Sequence, residues 1–129
     1  MRRSKCVFCK KSFQKKAFLN SENFFAVFDS YPVNRGHTLI IPYEHIENLW
    51  QVGEDKGNEL LSFIKKVKSY LDKKFSPDGY NLGINNGSVA GQTIFHLHIH
   101  LIPRYAGDQK DPRGGVRKIF PKKAKYWKD

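Results

Sequence analysis

The chain has only two cysteines, Cys6 and Cys9, among 129 residues. A disulfide framework is therefore excluded, and the chain is long enough to bury a real core without one. No apolar run approaches the roughly 20 residues that a membrane span requires, so the protein is expected to be soluble. The basic start "MRRSK" leads straight into "CVFCKKSFQKK" with no apolar stretch between, which argues against a secretory signal and makes a cytoplasmic location the expectation. There is no internal repeat and no low-complexity segment, so residues 1–129 read as a single domain with 106–129 as a basic C-terminal arm. Acidic residues are missing before Glu22, and Lys110, Arg113, Arg117, Lys118, Lys122, Lys123, Lys125 and Lys128 crowd the other end, for a formal net charge of +11. Such a field attracts polyanions, nucleic acid among them, and a solvated Lys-rich surface would look the same.

What is present is periodic. "FFAVFDSYP" (24–32) and "HTLIIP" (37–42) are aromatic and β-branched runs joined by a turn containing Pro and Gly, which predicts a strand pair. From Glu54 to Phe75, Leu60, Ile64, Val67, Leu71 and Phe75 recur at helical spacing, giving one amphipathic helix that Pro77 and "PDG" terminate. "YNLGINNG" (80–87) is a third strand ending in a turn, "SVAGQT" a small-residue loop, and "IFHLHIHLIPR" (94–104) a fourth strand. The fold class is α+β, a mainly antiparallel sheet with one long amphipathic helix packed on it. Beyond Pro103 an extended arm or loop is expected.

In "HLHIHLI" the imidazoles of His96, His98 and His100 alternate with Leu97, Ile99 and Leu101. On a strand this puts the rings on one face and the aliphatic stripe on the other. Three stacked imidazoles suit a core badly, because each carries a polar nitrogen that needs a partner. They can serve as metal ligands or as reactive groups. Just before them, "NNGSVAGQT" supplies Asn85, Asn86, Ser88, Gln92 and Thr93 among glycines, a set of donors suited to phosphate oxygens, although an ordinary polar turn has the same composition. "CVFC" has the Cys-x-x-Cys spacing of half a zinc site; with no second such pair, the other ligands would come from among His37, His45, His96, His98 and His100. A redox pair and two ordinary thiols are the other readings.

Taken together, "FFAVFDSYPVNRGHTLIIPYEHIENL" and "GINNGSVAGQTIFHLHIHLIPR" resemble the histidine triad (HIT) family of nucleotide hydrolases and transferases over most of residues 6–105. The resemblance implies that His98 attacks the α-phosphorus of a nucleotide, forming a covalent nucleotidyl-imidazole that water cleaves to a nucleoside monophosphate. This suits an imidazole, which is largely neutral and nucleophilic at pH 7. His100 and His37 match family histidines that surround the phosphate, and Asn85, Gln92 and Thr93 match positions contacting the phosphate or the leaving-group oxygen. Asp29 matches the ribose-gripping position, while Phe8, Val27 and Leu39 match walls of the base pocket and equally suit core packing. In zinc-bearing members, including relatives such as galactose-1-phosphate uridylyltransferase, the Cys pair is completed by a histidine after the second strand and by the first triad histidine. Here those are His45 and His96, so a structural zinc on Cys6, Cys9, His45 and His96 is implied, as is a homodimer.

The resemblance implies a dinucleoside polyphosphate or a nucleoside phosphoramidate as the substrate. Rival readings are a zinc-braced nucleotide- or nucleic-acid-binding module without turnover, and a metal-dependent hydrolase using His96, His98 and His100 together as ligands. An aprataxin-like action on adenylated nucleic-acid ends lies between the hydrolase and the binding module.

Overall fold

The structure, a computed structural model, describes residues 3–128. Five strands form one sheet: β1 (Leu19–Asn20), β2 (Phe24–Phe28), β3 (Thr38–Pro42), β4 (Gly79–Gly83) and β5 (Ile99–Arg104), in the spatial order β1-β2-β3-β5-β4. Every neighbouring pair is antiparallel. A four-residue helix, α1 (Lys11–Gln14), precedes the sheet, and the long helix α2 (Glu54–Phe75) connects its two halves. The α+β class and the single long helix are as expected; β1, only two residues long, is too short to leave a periodic signal.

Helix α2 begins with Glu54 and Asp55 and ends with Lys73 and Lys74, each charge placed to oppose the helix dipole. It stops where Ser76 turns left-handed, at φ 50°, immediately before Pro77. Leu60, Phe63, Val67 and Leu71 are its buried residues; Phe63, rather than Ile64, is buried in the middle of the helix, and Ile64 packs at the margin. They meet Phe24, Ala26, Ile40, Ile99 and Leu101 from the sheet. The opposite face of the sheet, carrying Phe25, Val27, Leu39 and Ile41, is covered by the N-terminal segment through Cys6 and Phe8. Burial on both faces explains why β2 and β3 read as unbroken apolar runs while β5 alternates.

Three strands are shorter than the sequence suggests. β2 ends at Phe28 because Asp29 Oδ1 accepts the Tyr31 N–H at 2.9 Å, closing a turn. β4 ends at Gly83 rather than 87. β5 starts at Ile99, not at 94: the N–H of Leu97 bonds Ile46 O at 2.7 Å, outside the ladder, and the Pro42 carbonyl is taken by the His96 ring at 2.8 Å. Leu97, at 1% exposure, still points inward, so the alternation outlasts the strand. The C-terminal arm is not extended. It coils through short 3-10 turns at Gly115–Ile119 and Pro121–Lys123, with Arg117 donating to the carbonyls of Ala124 and Lys123 and Arg113 stacked 4.4 Å from the Trp127 ring.

Removing the Phe63 ring should leave a cavity between helix and sheet. Phe63→Ala is expected to lower stability by about 3–5 kcal/mol, read from the urea midpoint.

Candidate active site and metal centre

The residues from His96 to His100 turn three rings to the face away from α2, and the structure then sends them to different partners. The 3-10 turn Val7–Cys9, closed by Cys9 N–H to Cys6 O at 3.2 Å, places both thiols over the start of β5. His96 Nδ1 lies 3.4 Å from Cys6 Sγ, 3.5 Å from Cys9 Sγ and 3.1 Å from His45 Nδ1, and His45 Nδ1 lies 3.2 Å from Cys9 Sγ. One ligand atom from each of Cys6, Cys9, His45 and His96 falls within 4.8 Å of the others.

This set fits zinc. Bonds of about 2.0–2.1 Å to nitrogen and 2.3 Å to sulfur imply tetrahedron edges of roughly 3.3–3.8 Å, and the four separations above fall at and just under that range. The His96 ring donates from Nε2 to Pro42 O, which leaves the Nδ1 lone pair facing the sulfurs. Burial lowers the His96 pKa to about 4, so the ring is neutral and ready to ligate. Burial, then the neighbouring Cys6, raises the Cys9 thiol to about 11. A cation would favour its thiolate and offset that cost. His45 Nε2 is buried without a hydrogen-bond partner.

His98 is oriented by the same segment. Its Nδ1 is 2.8 Å from the His96 carbonyl, which can only accept, so the proton sits on Nδ1 and Nε2 keeps its lone pair. The edge of Phe8 stands against it at a centroid distance of 5.3 Å, and His100 lies on its other side, also at 5.3 Å. His37 accepts the Val33 N–H at Nδ1 (3.1 Å), which leaves Nε2 as the donor to His100 Nδ1 at 2.9 Å. His100 therefore carries its proton on Nε2. Asp29 Oδ2 is 3.4 Å from His37 Nε2. Burial, only partly opposed by Asp29, lowers the pKa of His37; burial, reinforced by His98 and His37, lowers that of His100 to about 4. At neutral pH the relay is an uncharged chain of donors.

The remaining residues named from the sequence fall into two groups. Phe8, Val27 and Leu39 join one apolar cluster beneath the histidines. Asn85 is exposed and lines the cleft, and Thr93 is exposed, whereas Gln92 is buried and occupied: its Nε2 donates to Glu47 O and Ile94 O, and its Oε1 accepts from Gly87. Asn86 caps Leu49 N–H instead of facing the site. His96, His98 and His100 do not converge as a ligand set, since His96 is turned to the cysteines; Asp29, His37 and His100 do lie within 4.8 Å of one another.

Sequence reasoning missed a polar hub beside His100. Arg104 forks onto Asp108 at 2.7 and 2.8 Å and reaches Asn81 at 2.7 Å, and Asn34 bridges Asp108 and Pro103 O. The Arg104 guanidinium holds the Asp108 carboxyl far below the usual range. Arg104 and Asp108 stand four apart, but outside any helix, so their spacing carried no signal.

An antiparallel sheet with a helix on one face and a histidine site beside a Cys/His cluster on the other defines an α+β protein with an imidazole-based centre. Residues 10–107 match the HIT domain, and the chain belongs to that family. Cys6, Cys9 and the arm beyond Gly107 lie outside the match. An uncharacterized HIT-like protein of Methanocaldococcus jannaschii is 44% identical over 108 residues, covering 80% of this chain and 81% of that one. An AP-4-A phosphorylase of Mycobacterium tuberculosis is 35% identical over 85 residues, 65% of this chain and 44% of that protein. Adenylylsulfatase HINT3 of Arabidopsis thaliana is 35% identical over 106 residues, 80% and 54% respectively.

Among solved structures, a hypothetical histidine triad nucleotide-binding protein from Sulfolobus tokodaii superposes with a TM-score of 0.73 at 40% identity, over 82% of this chain and 73% of that one. A zinc-bound histidine triad family protein from Mycobacterium smegmatis gives 0.73 at 30% identity, over 85% and 82%.

Two outcomes follow. Cys9→Ser, or chelation of the purified protein, is expected to lower the Tm by about 10 °C or more, with about one zinc per chain lost by elemental analysis. Stability should also fall as pH drops from 6.5 toward 4, because over that window the unfolded chain binds a proton that buried His100 refuses. His100→Asn is expected to make that part of the Tm–pH profile shallower without abolishing it, since buried His96 is held at about 4 as well.

Proposed function

We propose that the protein is a nucleotidyl hydrolase in which His98 is the nucleophile. The observation that carries this reading is the pinned tautomer of His98, with Nδ1–H held by the His96 carbonyl and Nε2 free to attack, beside the neutral donor His100. Nε2 forms a bond to the α-phosphorus while the bond to the leaving group breaks, its electron pair departing with that group. Water then adds to phosphorus, the P–N bond breaks, and the imidazole returns with release of a nucleoside monophosphate. His100 donates from Nε2 toward the phosphoryl oxygens, and His37 holds it in that tautomer. The charge develops within a half-buried site, where fixed donors act most strongly. In this reading Asp29 takes the ribose, Phe8, Val27 and Leu39 the base, and Asn85 and Thr93 the phosphate. Gln92 acts here through the loop it ties together. The names of the M. tuberculosis phosphorylase and the Arabidopsis adenylylsulfatase support nucleotide hydrolysis as the class.

Zinc, held by Cys6, Cys9, His45 and His96, would brace the N-terminal segment against the sheet. Phe8, between the two cysteines, then stays against His98. We further infer a cytoplasmic homodimer, supported by an edge strand, β4, whose Leu82 is exposed; sedimentation at micromolar concentration would read its mass.

Intact-protein mass after brief incubation with a diadenosine polyphosphate, quenched to preserve a phosphoramidate, is expected to show an adenylyl adduct in wild type and none in His98→Ala. His98→Ala is also expected to lose at least 1,000-fold in kcat. A wild type with neither adduct nor product, on this substrate and on a nucleoside phosphoramidate, would refute the reading in favour of a binding module.

A further inference from the structure

A cleft of about 620 Å³ opens beside the histidines, a volume ordinary for a small-molecule site. It begins at His37 and His100 and follows the exposed side of β5 past Ile102 toward Arg104. Neither His98 nor Phe8 lines it. Its outer wall is the C-terminal arm, through Val116, Lys118 and Ile119. That wall lies beyond the residues that the HIT domain match covers.

We propose that this cleft receives the leaving group, and that Lys118 selects one bearing phosphate, joined to the nucleotide by a P–O–P bridge, over an amine. The inference rests on His98 being the nucleophile. In-line displacement at phosphorus sends the leaving group away from the attacking atom. The cleft begins at His100, the ring next to His98, and so offers a place for that group. Its charge decides the chemistry. The Arg104 guanidinium is spent on Asp108 and Asn81, and the histidines His37 and His100 are neutral. Lys118 is different. Its Nζ donates to a carbonyl, Asp111 O, at 2.7 Å, while the Asp111 carboxylate is engaged by Arg113 at 3.0 and 3.1 Å.

Among the described residues, Lys118 is thus the cation of the cleft lining with no hydrogen bond to a carboxylate; the Asp111 carboxylate lies close enough to feel its charge but is bonded by Arg113. A phosphate released by P–O cleavage keeps its negative charge and is held by Lys118. An amine released by P–N cleavage takes up a proton and is repelled. The arm is set in advance: Gly114 turns at φ 94° and Gly115 at φ 44°, and Arg117 ties the turn to Ala124 O and Lys123 O.

The test compares kcat/KM for diadenosine triphosphate and for an adenosine 5′-phosphoramidate of an alkylamine, in wild type, Lys118→Glu, Lys118→Arg and Lys122→Glu. Lys122→Glu makes the same charge change outside the cleft. Lys118→Glu should shift the ratio of the two constants at least fivefold toward the amine. Lys118→Arg should hold the wild-type ratio, and Lys122→Glu should shift it less than twofold. A shift in Lys118→Glu no larger than in Lys122→Glu would overturn the proposal. If wild type turns over neither substrate, the His98 reading fails, and the cleft is judged by equilibrium binding of inorganic tripolyphosphate. Binding at least fivefold weaker in Lys118→Glu than in Lys122→Glu is expected, and equal binding overturns the assignment.

Discussion

His96 is committed at both ends of its ring. Nε2 gives its proton to the Pro42 carbonyl, and Nδ1 faces Cys6, Cys9 and His45, so one fully buried side chain joins the N-terminal segment, the loop after β3 and the entry to β5. An imidazole in such a place is costly unless both nitrogens are used. With them used, the ring becomes a fixed point. The backbone carbonyl of the same residue sets the tautomer of His98, and the Phe8 ring meets both histidines, at 5.7 Å and 5.3 Å. Whatever displaces His96 therefore displaces the group beside it.

The sheet separates two kinds of work. Its α2 face is mostly apolar and carries the burial that makes the fold stable, on the order of 2 kcal/mol for each large side chain removed from water. The other face carries polar groups at a cost in burial, and the structure offsets that cost by passing donors along a line, from Val33 N–H through His37 to His100. The Asp29 carboxylate stands 3.4 Å from His37 Nε2, and further charges sit at the rim, in Arg104, Asp108 and Lys118.

Much of this was readable from the chain, for reasons that differ by element. Helix α2 was legible because its contacts are one-sided and repeat every turn. The division of the histidine run from its aliphatic partners was legible because alternation is local. The end of β5 was not, since it depends on a carbonyl at Pro42 meeting a ring 54 residues away. The assignment of Cys6, Cys9, His45 and His96 came from resemblance; spacing alone left five histidines to choose from. Lys118 had no signal of its own among the basic residues of the arm. Only the coiling of residues 112–119 back toward β4 and β5 distinguishes it from Lys122 or Lys125.

The alternation across residues 96–101 has a consequence for how this chain can vary. Side chains there are sorted by parity, odd positions inward and even positions to the site. A substitution at any one position disturbs one side chain. Loss or gain of a single residue reverses the sorting for everything on one side of the change, driving imidazoles under the helix and leucines into water. The segment is thus constrained in length more tightly than in composition.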